Sequence, residues 1–296
     1  MANANTNIDS LNQATDELVP TKVVDKNELQ KKRKERAEKI GKWVMPFIVF
    51  VITIWIWDYI VRSNDIPHYI LPGPGLVVST LIQDLGILFS ALKITLQITL
   101  MALAVAVIGG VGLAILFTQS KFVEISFFPY AVILQVTPII SIAPLIFIYV
   151  DNRTVGLLLC AWIVALFPVL SNTTLGLNSV DHNLKDLFKI YEANRWQQLL
   201  HLQIPSALPY FLGGLRIAGG LALIGAVVAE YVAGTGGIGS GLAYTILEAG
   251  YRLNIPRMFA ALLLIAGTGV LIFVLLSFLS HLLLHKWHES ALEKET

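Results

Sequence analysis

Charge and cysteine are what this sequence has least of. Only 14% of its 296 residues are Asp, Glu, Lys or Arg, where a soluble domain carries about a quarter. The single cysteine, Cys160, stands inside an apolar run. That excludes a disulfide framework or a Cys-rich metal site, and Cys160 reads as a small buried hydrophobe. No G-x-x-x-x-G-K-[ST] segment occurs, so the chain carries no P-loop. Gly234-Thr235-Gly236-Gly237-Ile238-Gly239 does match G-x-G-x-x-G. A dinucleotide site needs a preceding strand and a βαβ unit, whereas these glycines follow an apolar run and read as a turn at a helix end. No H-E-x-x-H is present. His281, His285 and His288 share one helical face by spacing, and they read as rings at the interfacial end of the last helix rather than as a metal site. No nucleophile, acid–base pair or metal cluster emerges, so no catalytic residue, metal or cofactor is expected on this chain.

What is present is a series of long apolar runs. The chain is 55% hydrophobic with a mean hydropathy of +0.70. A run of about 18–20 apolar residues spans a bilayer as a helix, the form that satisfies its own backbone in lipid. Six spans are predicted, at roughly 43–61, 91–118, 122–150, 154–175, 208–232 and 257–285. The fold class is therefore an all-α integral membrane protein with about six transmembrane helices. The stretch Asp65 to Asp84 is broken by Pro67, Pro72 and Pro74. It reads as a loop followed by a short interfacial helix, Leu76–Leu85. Small residues such as Gly109, Gly213, Gly214, Ala218 and Gly219 recur along the spans and suit close helix packing.

The charges sit unevenly. Residues 1–42 hold nine of the 21 Lys and Arg. Lys31-Lys32-Arg33-Lys34, with Lys39 and Lys42, lies just before the first span, where basic residues favour the cytoplasm and anionic lipid. That position argues against a nucleic-acid patch. Residues 1–42 thus read as a basic cytoplasmic tail, mobile over 1–30, residues 43–288 as the transmembrane domain, and 289–296 as a short cytoplasmic tail. Met1 to Asp25 is polar, so no signal peptide is expected. With six spans both termini face the cytoplasm. Lys121, Lys185, Lys189, Arg195, Lys286 and Lys294 then lie inside, and fewer basic residues lie outside. The expected location is the plasma (inner) membrane.

The longest predicted cytoplasmic loop is Gly176 to Ser206. Within it Leu184, Leu187, Phe188 and Tyr191 recur at i, i+3, i+4 and i+7, giving one apolar helical face. Trp196, Leu199 and Leu200 mark a second short helix, stopped by Ile204-Pro205. Two such helices are marginal unless something covers them. The residues alone leave two readings open: a helix lying on the membrane, or a docking helix for a cytoplasmic subunit.

This loop carries a resemblance. Asp186-Leu187-Phe188, then Glu192, then Leu202-Gln203-Ile204-Pro205 follow the frame E-A-A, three residues, Gly, nine residues, I-x-L-P. The frame is similar to that of binding-protein-dependent ABC importer permeases. Tyr191, Arg195-Trp196 and Gly214-Leu215-Arg216 also resemble that family, and Pro138 to Leu145 and Ala229-Glu230 resemble its nitrate/sulfonate/taurine subgroup. The departures are Asp186 for Glu, Leu187 and Phe188 for two alanines, and Glu192 for glycine. Glycine would take φ > 0 cheaply, and Asn194, which tolerates that conformation, offers another place for the turn.

The resemblance implies a pore built from two copies, or from this chain and a close relative, within the lipid bilayer. It implies a cytoplasmic ABC ATPase that receives the loop 181–205 through Asp186, Leu187, Phe188, Tyr191, Glu192, Ala193, Arg195, Trp196, Ile204 and Pro205. It implies an external solute-binding protein, with ATP acting through the partner subunit. The implied cargo is a small solute: a nitrate-, sulfonate- or taurine-like anion, or a small heterocyclic nutrient.

Polar groups inside spans tend to be functional. Gln135, Thr137 and Ser141, beside Pro138, are expected to line the path, because carbonyls freed at a bend commonly face a cavity. Glu230 near the outer end of the fifth span has two readings: an ion pair with Arg216 or Arg153 that holds helices together, or part of an external gate. A stand-alone secondary transporter is the rival function. It would need several intramembrane carboxylates and related halves, and only Glu230 qualifies.

Overall fold

In this computed structural model, residues 26–234 and 239–285 are described, with side chains described from Val44 onward. Residues 1–25 and 286–296 lie outside that range, as do most of the predicted mobile segment, the whole of the segment 289–296, and His288.

The chain divides into two units, Met1–Ile60 and Val61–Thr296. The first holds most of helix α1 (Lys26–Ser63). Its stretch Val44–Ser63 is apolar and long enough to cross a membrane. The helix already begins at Lys26, so the boundary placed at residue 42 is a change in polarity, not in backbone structure. Trp55 and Tyr59 stack on one face of α1, with ring centroids 5.7 Å apart.

The second unit begins with the broken proline segment. Pro74 opens α2 (Pro74–Gln83) at its first turn, where a missing N–H costs nothing. Asp84 breaks the helix, and α3 (Leu85–Gln119) follows, starting six residues earlier than the predicted second span. Next come α4 (Lys121–Val136) and α5 (Ile139–Tyr149), then α6 (Arg153–Asn178). The segment after α6 holds α7 (His182–Ile190) and α8 (Arg195–Gln198). A π turn, Leu199–Gln203, leads into α9 (Ile204–Ala233). The short α10 (Leu242–Tyr251) and the long α11 (Ile255–Leu284) complete the described elements.

One expectation is refined and a second needs correction. The span predicted as 122–150 is two helices, α4 and α5, bent by 102° at Thr137-Pro138. Pro138 has no N–H and biases Thr137 towards extended backbone, and Thr137 adopts φ −75°, ψ 124°. Five helices are individually long and apolar enough to cross, and six spans result when the bent pair counts as one. Second, Ile204-Pro205 does not stop a helix. Pro205 occupies the first turn of α9, and the chain stays helical from Arg195 through the π turn to Ala233. The wider π turn absorbs the lost proline donor without a break.

The core is built by α3, α6 and α9. Gly214 and Gly225 let α9 lie directly on α6. A Cβ at Gly214 would stand 2.6 Å from the Pro168 carbonyl oxygen, and one at Gly225 2.8 Å from the Ala161 Cα. Ala161, Ala222, Ala226 and Ala229 fill the seam, so packing of small side chains holds the pair. Cys160 is fully buried in the same cluster.

Candidate functional site

The loop between α6 and α9 is set by caps. Asp181 accepts from the Asn183 N–H at 2.7 Å and starts α7. At the other end the Ala193 N–H donates to the Phe188 carbonyl and the Glu192 N–H to the Lys189 carbonyl, both at 2.9 Å. This is a Schellman arrangement, with its left-handed residue at Glu192, φ +50°. The turn therefore stays where the family frame puts glycine. Asn194 does not take it over: Asn194 is extended and caps α8, its side chain accepting from the Gln197 N–H while Gln197 accepts from the Asn194 N–H, each at 2.8 Å. That reciprocal pair is a capping box.

Leu187, Phe188, Tyr191, Ala193, Gln197 and His201 line one groove between α7 and the helix that follows. Ile190, Tyr191 and Trp196 are 78%, 77% and 69% exposed, so no described residue covers them. Asp186 and Lys189 pair at 2.9 Å on the exposed side. The hydrogen bond and charge of Lys189 hold the Asp186 carboxyl below its usual value. Leu199 packs into the cluster of Phe117, Leu170 and Leu177, which ties the loop to α3 and α6, and Leu202 is buried as well.

The second feature is the α4–α5 bend. Gln135, Thr137 and Pro138 line a cavity of about 310 Å³ together with Val164 and Pro168 of α6 and Leu221 of α9. The size suits a small solute. Pro138 leaves Leu134, and Pro168 leaves Val164, without the N–H that would continue its helix. Leu134 and Val164 both belong to the lining, from two different helices. Ser141 lies beyond the bend, where its N–H donates to the Pro138 carbonyl at 2.9 Å.

Glu230 is elsewhere. It is fully buried, and its Oε2 accepts from the Ala243 N–H and from the Thr95 hydroxyl, each at 3.1 Å. The Thr95 oxygen in turn accepts from the Leu242 N–H at 2.9 Å. Glu230 and Thr95 together cap the N-terminus of α10, where free N–H groups favour an anionic acceptor. Gly241 makes this possible, because a Cβ there would overlap the Glu230 carboxylate. The ion pair suggested with Arg216 or Arg153 is not formed. Arg216 lies nearly four turns away along the same helix, and Nε and Nη2 of Arg153 are buried without a hydrogen-bond partner.

The model of the family described as binding-protein-dependent transport system inner membrane component matches residues 106–288. The chain belongs to that family. Among relatives, the formylaminopyrimidine transport permease protein ThiX of Halalkalibacterium halodurans is 31% identical over 240 residues, covering 81% of this chain and 94% of that one. The nitrate import permease protein NrtB of Synechococcus elongatus is 27% identical over 213 residues, covering 66% and 74%. The crystal structure of an amino acid ABC transporter with histidines matches with a TM-score of 0.57 at 18% identity, covering 70% of this chain and 97% of that chain. That match supports the fold.

The protein is thus the multi-pass permease subunit of an ABC importer, not a stand-alone transporter. Importers of this family work with an ATPase and a substrate-binding protein. In the permease, two features escaped the sequence reading. Arg257 at the start of α11 holds Asp84 between α2 and α3 in a bidentate pair, at 2.6 and 3.0 Å. Arg216 rests over the Phe273 ring of α11, 5.8 Å from its centroid. The signal for both was the rarity of charge near apolar runs, but neither partner could be chosen from spacing.

Proposed function

We propose that this permease forms half of a two-copy pore and that α7 and α8 dock it to a separate cytoplasmic ATPase. The observation that carries the docking reading is the uncovered apolar surface of Ile190, Tyr191 and Trp196 beside the groove of Leu187 and Phe188. A membrane-hugging helix would need that surface in line with lipid; a docking helix needs it in a protein cleft. The turn at Glu192 is built as a defined shape, with a cap on each side, which favours a shaped partner. ATP binding and hydrolysis then belong to that partner, and the loop shifts the pore by contacting it differently in each state.

The termini are read as cytoplasmic and the membrane as the plasma (inner) membrane, from the excess of Lys and Arg on that side. The cargo is read as a small anion of nitrate or sulfonate type or a small heterocyclic nutrient, handed over by the binding protein and passed along the cavity at the α4–α5 bend.

A tagged pull-down from native membranes in mild detergent tests the reading. Recovery of a P-loop ATPase with the native chain, and its loss with Asp186→Arg at equal membrane levels, is expected. Recovery of the chain alone in several detergents would refute the docking role of the loop.

A further inference from the structure

Arg216 carries a charge where a membrane helix ordinarily has none. It lies twelve residues from the start of α9 and seventeen from its end, about 18 Å along the helix from Ile204. Phe273, whose ring it covers, lies eleven residues from the end of the neighbouring α11. Both positions put the guanidinium near the middle of the bilayer.

No Asp or Glu among the described residues pairs with it, and its Nε is buried without a hydrogen-bond partner. The cation is half-buried and is not neutralised by any described residue. A guanidinium keeps its proton and its charge at this depth, and exposure to lipid there is costly. The face that carries it must therefore meet water or polar groups.

The adjoining helix surface is open and carries the exposed Ile217 and Ile224. Gly213 and Gly220 lie one turn below and one turn above Arg216. A Cβ added at either would meet no atom within 4 Å. Gly219, on the adjoining face, packs tightly against Ile272 and Leu276 of α11. One side of α9 is thus sealed against α11. Arg216 stands at the edge of that seam, over Phe273 of α11, and the adjoining face of Gly213 and Gly220 is left open.

We propose that Arg216 is an anion-recognising group on the translocation path, holding the anionic group of the transported solute at mid-membrane over the Phe273 ring. The proposal rests on the pore reading above and narrows its cargo to a small oxyanion-bearing solute. Two or more oxygens of a nitrate or sulfonate match the guanidinium fork, and the aromatic ring fixes the plane of that fork without neutralising it.

The test is charge-selective thiol labelling of the full chain in membrane vesicles. Cys160→Ala removes the only native thiol, and Gly213→Cys places a reporter one turn from Arg216, with Gly220→Cys as the second reporter. The anionic reagent methanethiosulfonate ethylsulfonate is expected to react roughly tenfold faster than its cationic trimethylammonium counterpart. That preference should vanish in Arg216→Gln and persist in Arg216→Lys. Methanesulfonate or nitrate should slow labelling only where residue 216 is positive.

Labelling by membrane-permeant maleimide alone would place the stripe against lipid and overturn the proposal. Spontaneous disulfide formation between two reporter chains would make the face a seam between copies and also overturn it. A preference for the anionic reagent that survives Arg216→Gln would show that the charge does not act there. All of these outcomes are read without the ATPase, so failure here is separate from failure of the docking reading, which the pull-down decides.

Discussion

Thr95→Val is the sharpest probe of the buried cap on α10. The substitution keeps the volume and removes only the hydroxyl. That hydroxyl accepts from the Leu242 N–H at 2.9 Å and donates to Glu230 at 3.1 Å, and Thr95, Leu242 and Glu230 are all fully buried. Leaving the Leu242 N–H unsatisfied costs about 1–3 kcal/mol, and the lost bond to Glu230 adds about 1 kcal/mol. The first turn of α10 should therefore open more easily by about 2–4 kcal/mol. Hydrogen exchange reports local opening directly, and that range corresponds to roughly 30- to 900-fold faster exchange at Leu242 and Ala243. Thr95→Ser, which keeps the hydroxyl, should stay close to the native protein. Exchange of the Thr95→Val variant within about threefold of native would refute the argument, because a buried donor cannot lose its acceptor at so small a cost.

Other outcomes follow from the same geometry. Gly241→Ala should lower the thermal stability of the detergent-solubilised chain, since its Cβ falls on the Glu230 carboxylate; Gly250→Ala, whose Cβ meets only the Met258 sulfur at 3.9 Å, is the control. Glu192→Gly should stabilise the α7–α8 turn by about 1 kcal/mol, because glycine holds φ > 0 without the Cβ penalty, and exchange at Ala193 should slow accordingly. Asp84→Asn should destabilise the junction of α2 with α11 by about 1.5–3 kcal/mol, through loss of a charge-assisted bidentate pair, measured as a lower melting temperature. The Asp186–Lys189 pair lowers the Asp186 value, so its contribution is present above the ordinary carboxylate value of 3.8 and fades only as pH falls below it. ATPase recovery in the pull-down should accordingly be insensitive to this group between about pH 5 and 8.

Much of this protein was determined by local sequence. Lipid cannot satisfy bare backbone groups, so the long apolar runs had to become helical, and five spans, or six with the bent pair counted as one, follow from length and hydropathy. The period of Leu184, Leu187, Phe188 and Tyr191 likewise forecast an amphipathic helix, and it forms as α7. Proline told where backbone would be interrupted but not how. At Pro138 the chain turns by 102°, whereas at Pro205 it runs on through a π turn, because one ring meets an open cavity and the other a helix end already supported by Leu199 and Leu202. Tertiary structure alone decided the partners of the charges. Glu230 answers the free N–H groups of a helix start 13 residues on and a hydroxyl 135 residues back, and Asp84 meets an arginine 173 residues away. Such pairs are set by which helix ends the packed glycines and alanines bring together, a quantity that no local pattern encodes.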